Sequence, residues 1–116
     1  MNVKTKLANE QGESFMGTGI LELLGRIERT DSIHRAAAEM GLSYAKALKI
    51  LNRLEENLDG RVLERTRGGR DRGGARLTPF GKIFIREYAA LQERIVGYGK
   101  ARFPLFLRRI EAGRRG

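Results

Sequence analysis

Between Ile20 and Leu58 the apolar residues fall into three short blocks at helical spacing, separated by residues that start or stop helices. Ile20, Leu23, Leu24 and Ile27 stand at i, i+3, i+4 and i+7, one face of a first helix. Thr30-Asp31-Ser32 supplies N-cap chemistry for a second, over which Ile33, Ala36, Ala37 and Met40 repeat the spacing. Gly41, free to take positive φ, ends that helix. Ser43 caps a third, where Tyr44, Ala47, Leu48, Leu51, Leu54 and Leu58 share a face. Ala45, Lys46, Lys49, Asn52, Arg53 and Glu56 take the opposite face. The small residues of Arg35-Ala-Ala-Ala38 let the third helix cross the second closely.

After Gly60 the period changes. Arg61 to Thr66 alternates as a short strand does, and Ala75 to Leu77 can return as its partner. Between them Gly68, Gly69, Gly73 and Gly74 enclose Arg70-Asp71-Arg72, too glycine-rich for a helix. Thr78-Pro79 is an N-cap followed by a first helical position. From there Phe80, Phe84, Tyr88, Leu91 and Ile95 give a long stripe, which predicts a helix over about 79–96. Gly97 and Gly99 are expected to interrupt it, leaving 100–116 as a basic extension with a short helix over Phe103 to Ile110. The segment Phe103-Pro-Leu-Phe-Leu107 is expected to dock on the domain or complete a dimer. At the other end, Val3 to Ala8 alternates loosely enough for one short strand. No internal repeat or second domain is visible, and residues 1–99 are read as one unit.

The net charge of +9 is unevenly placed. Residues 61–76 carry six arginines against Glu64 and Asp71, and residues 100–116 carry six cations against Glu111, whereas 17–60 is nearly balanced. Such concentration points to a polyanionic partner, nucleic acid before an anionic membrane surface. There is no cysteine, which excludes disulfides, thiolate metal sites and cysteine nucleophiles, and the single histidine, His34, makes no multi-histidine site. His34 is expected in a solvent or capping role. No apolar run approaches the roughly 20 residues that span a bilayer, and a cytoplasmic location is the default expectation. The paired glycines lack the lysine and following helix of a phosphate-cradling loop, and no acidic pair stands with a partner set. An enzyme is therefore not expected, and neither is a cofactor or a metal site.

Three helices, a tight glycine turn, a Gly/Arg hairpin and a long helix together describe a mainly α winged helix-turn-helix, with the helix-turn-helix at about 32–57 and the wing at about 61–78. The third helix can present its polar face to a major groove of about 12 Å, with Lys46, Lys49 and Arg53 on that free face. The wing arginines can meet phosphates or enter a minor groove. Tyr44 is expected to anchor in the core with its hydroxyl in reach of a phosphate. The stripe on the long helix offers a dimerisation seam. A DNA-binding transcription regulator follows as the first expectation; a winged-helix module that binds protein, or a non-specific architectural protein, stands as the alternative.

The run Thr30-Asp-Ser-Ile-His-Arg-Ala-Ala-Ala-Glu-Met-Gly-Leu-Ser-Tyr44 resembles the helix-turn-helix of the ModE family of molybdate-responsive transcription regulators. The stretch Leu63-Glu-Arg-Thr-Arg-Gly-Gly-Arg-Asp-Arg-Gly-Gly-Ala-Arg-Leu-Thr-Pro-Phe-Gly81 is similar to that family's wing and the start of its next helix. LysR-type regulators share the looser outline. The similarity runs from about Val3 to Ile95. It implies a homodimer on a palindromic operator, with the first and last helices in the dimer contact. It also implies that Ser43, Tyr44, Ala45, Lys46 and Lys49 face double-stranded DNA, and that Arg67, Arg70 and Arg72 meet its backbone. Leu48 stands where the family often carries tryptophan, which keeps an apolar group there. Family members hold molybdate in additional C-terminal domains, so molybdate binding is not expected in this chain.

Overall fold

A computed structural model describes residues 3–65 and 74–116. In chain order the elements are β1 (Lys6–Ala8), β2 (Ser14–Gly17), α1 (Thr18–Thr30), α2 (Ile33–Glu39), α3 (Tyr44–Leu58), β3 (Leu63–Arg65), β4 (Ala75–Leu77) and α4 (Pro79–Arg115). This is a mainly helical winged helix-turn-helix with small antiparallel hairpins and a long last helix.

The caps stand where the side-chain chemistry predicts. Ser32 Oγ accepts the Arg35 N–H at 3.1 Å to open α2, and Ser43 Oγ accepts the Lys46 N–H at 3.1 Å to open α3. Gly41 sits at φ 69° in the turn between them. The α1 and α3 ends rest on Asp31 and Asp59, both left-handed at φ 55° and 51°. Aspartate tolerates that region better than most residues, and at Asp31 no neighbouring glycine marks the stop.

The three predicted apolar faces meet in one core. Leu23, Leu24 and Ile27 of α1, Ile33, Ala36 and Ala37 of α2, and Ala47, Leu51 and Leu54 of α3 are essentially solvent-free. Val62, Leu63, Ala75 and Leu77 extend the core into the base of the wing, and Tyr88 brings in α4. The wing strands pair Leu63 with Leu77 and Arg65 with Ala75. Its root is fixed by polar groups. The Glu55 carboxylate accepts the Val62 N–H at 2.8 Å and the Leu63 N–H at 3.3 Å. The Ala75 N–H donates to the Asp31 carbonyl at 3.1 Å. Thr78 Oγ1 donates to the Arg61 carbonyl at 2.6 Å while accepting the Gly81 N–H at 2.9 Å. Gly81 itself lets α4 press onto the wing root, because a Cβ there would lie 2.3 Å from the Val62 carbonyl oxygen.

Three expectations are corrected. The N-terminal segment is a hairpin, not a lone strand: β2 pairs antiparallel with β1, and Met16 on β2 is fully buried. The last helix is also continuous. It runs 37 residues, through Gly97, Gly99 and Pro104, without the predicted break. At Gly99 the glycine makes room: an added Cβ would stand 3.1 Å from Val3 Cγ2, so the N-terminal segment packs on α4 there. Pro104 lies where the helix is exposed, so water can take the carbonyl that its missing N–H leaves free. The Phe103–Leu107 segment does not dock on the domain. Phe106, Leu107 and Ile110 are exposed on the outer half of α4, and the molecule extends 68 × 27 × 25 Å.

Candidate nucleic-acid interface

The outward face of α3 is as the spacing predicts. Ala45, Lys46, Lys49, Asn52, Arg53 and Glu56 are all exposed, while Ala47, Leu51 and Leu54 hold the helix to the core. Ser43 is exposed at its N-cap, with its hydroxyl already engaged by the Lys46 N–H. Tyr44 is half-buried, and its ring stacks on His34 with centroids 3.8 Å apart and planes 11° from parallel. His34 is exposed, in keeping with the expected solvent role, and one face of its ring also covers Tyr44. It clamps the first turn of α3 to α2, a contact of aromatic faces that needs no apolar periodicity and leaves no signal in it.

The exposed face is split electrically along its length. Lys46, Lys49 and Arg53, at i, i+3 and i+7, form one row on the flank that meets the N-terminal hairpin. The opposite flank carries Asn52, Glu55 and Glu56 and opens to a groove at the wing root, lined also by Asp59, Arg61 and Arg65. There Arg65 Nη2 donates to Asn52 Oδ1 at 2.8 Å, joining α3 to β3. Among the described residues Lys46, Lys49 and Arg53 are in no ion pair, whereas Arg26 and Arg29 on α1 are bound to Glu39 on α2.

Arg67, Arg70 and Arg72, the wing arginines of the sequence reading, lie outside the described residues. What flanks them is described: β3 and β4 present Glu64 and Arg65, and Arg76, to solvent beside α3. The periodicity missed the contribution of the N-terminal hairpin. Its turn is held by Asn9, whose Oδ1 accepts the Gln11 and Glu13 N–H groups at 3.1 and 2.9 Å, with Gly12 at φ 81°. The Asn9-Glu-Gln-Gly12 run was the legible turn signal. Asn9 Nδ2 also donates to Asn57 Oδ1 at 3.2 Å, which ties the hairpin to the last turn of α3.

Among the described residues no group of His, Asp or Glu is placed to hold a metal ion, and no helix is long and apolar enough to cross a membrane.

Residues 20–82 match the family model described as bacterial regulatory helix-turn-helix protein, lysR family. Among curated proteins, the molybdenum-pterin-binding protein MopB of Rhodobacter capsulatus is 40% identical over 72% of this chain and 31% of its own length. The molybdenum transport protein ModE of Herbaspirillum seropedicae is 38% identical over 62% of this chain and 27% of its own. The chain thus spans about a third of the length of the curated relatives it matches. Among solved structures, the CbnR DNA-binding domain in complex with DNA superposes with a TM-score of 0.61 at 21% identity, covering 79% of this chain and 99% of that one.

Proposed function

The chain belongs to the lysR family of bacterial regulatory helix-turn-helix proteins, and we propose that it is a DNA-binding transcription regulator that binds as a homodimer with α3 in the major groove. One observation carries the reading: an exposed α3 face whose three cations are in no ion pair among the described residues, followed in the sequence by the arginine-rich stretch 61–76. In this reading Ser43, Tyr44 and Ala45, at the N-terminal end of α3, approach base edges. Lys46, Lys49 and Arg53 follow the groove, and Arg67, Arg70 and Arg72 reach the backbone from the wing. Phosphate contacts then supply affinity and the few contacts at base edges supply the code.

Dimerisation is supported by α4. Phe84, Leu91, Tyr98 and Leu105 recur every seven residues, and Leu91 and Tyr98 are 47% and 65% exposed, large side chains that the chain itself leaves uncovered.

Fluorescence anisotropy tests the function with a labelled duplex from upstream of the protein's own gene and a scrambled duplex, across a salt series. The expected result is a preference of about a thousandfold with a steep negative log–log salt slope. Equal affinity for both duplexes would replace the regulator reading with an architectural one. Absence of binding at moderate salt would overturn it.

A further inference from the structure

We propose that the β1–β2 hairpin is a second bank of the DNA interface, and that Ser14 with Lys46, Lys49 and Arg53 holds one backbone phosphodiester of the duplex. The proposal, which rests on the DNA-binding reading above, adds a contact that neither the helix nor the wing supplies.

The hairpin is fixed to α3 rather than draped over it. Met16 is fully buried, Phe15 is half-buried against the core, and the Asn9–Asn57 bond pins the turn to the far end of α3. That placement leaves a cleft of about 260 Å³ between β2 and α3. Its apolar wall is Phe15, Ile20 and Ile50; its polar rim is Ser14, Lys46, Lys49 and Arg53. The spacing of the three cations sets them along one side of α3, and Ser14 faces them from the other element. Ser14 is exposed, and its hydroxyl has no protein partner among the described residues. The acidic residues of α3, Glu55 and Glu56, line the groove on the other flank and do not line this cleft.

Three like charges brought to one cleft repel one another, and an entering anion relieves that repulsion. A phosphodiester fits the donor set: the lysines and the arginine give charge-assisted hydrogen bonds, and the serine hydroxyl gives a neutral one. The apolar wall gives an entering water few partners, which favours direct contact between cation and phosphate. Lys46, Lys49 and Arg53 are thereby backbone contacts, and the base-edge contacts of α3 stay with Ser43, Tyr44 and Ala45.

The test is anisotropy on the full chain with the same two duplexes, using Ser14→Asp and Ser14→Lys. Ser14→Asp is expected to weaken binding to both duplexes by the same factor, roughly threefold to tenfold, and to lower the magnitude of the salt slope by about 0.9. Ser14→Lys is expected to tighten binding to both and steepen the slope, a gain that misfolding cannot produce. Wild-type affinity and slope in both variants would overturn the proposal while leaving the regulator reading intact. A loss in Ser14→Asp confined to the specific duplex would overturn it too, by making this a base-reading site. If the wild-type protein binds both duplexes equally, the regulator reading fails, and the shared shift in the two variants still decides the phosphate contact.

Discussion

Two residues at the joints of the fold carry consequences larger than their size. Gly81 is the point at which α4 meets the backbone of the wing root, with no space for a methyl group beside the Val62 carbonyl. Gly81→Ala must push α4 away or break the Thr78 clasp, and is expected to cost about 3 kcal/mol; urea unfolding monitored by circular dichroism measures it. Glu39 is the second. The Arg26 guanidinium beside it, aided by Arg29, holds its carboxyl below the usual carboxylate range. A depressed value means stability that is present above the ordinary glutamate pKa, about 4.3, and lost as pH falls through the lowered folded value. The melting temperature of wild type should therefore exceed that of Glu39→Gln at neutral pH, with the gap closing on acidification below about pH 4. Because these side chains are partly exposed, added salt should narrow the gap as well.

At the scale of elements, α4 is the most testable object. Pro104 deprives it of one backbone hydrogen bond in an exposed turn, so Pro104→Ala should stabilise the outer half of the helix locally by up to about 3 kcal/mol. Slower amide hydrogen exchange over residues 100–112, with unchanged exchange in α1 to α3, is the expected signature. Leu91→Glu places a charge on the proposed seam and should convert a dimer to a monomer in sedimentation equilibrium while the far-ultraviolet spectrum stays the same. The elements themselves were unequally legible. α1 to α3 were readable because each buries one apolar stripe, and Ser32 and Ser43 cap where serine caps. The span of α4 was misjudged because Gly97 and Gly99 were weighed as breakers, whereas Gly99 is dictated by Val3 packing against it. β2 was missed because four residues are too few to show a period. The outward face of α3 was readable from its helical spacing. The flank it shares with the hairpin was not, since Asn9–Asn57 and Ser14–Lys49 are long-range neighbours that local pattern does not encode.

For the whole molecule, the outstanding feature is disproportion: a small packed body with a 37-residue helix leaving it. At 1.5 Å per residue that helix is about 55 Å long. In a dimer joined along α4, the separation and relative rotation of the two reading heads are set by a stiff rod and not by a tether. Operator spacing should then behave as a phase. Half-sites moved apart by about 5 base pairs, half a helical turn, should lose cooperative binding outright, because one head then meets the wrong face of the duplex. Each residue inserted into an α-helix turns everything beyond it by about 100°, so a single alanine added between the body and the seam should retune the preferred spacing instead of merely weakening the complex. The chain is in this respect a gauge, its length of helix converting a count of residues into a count of base pairs.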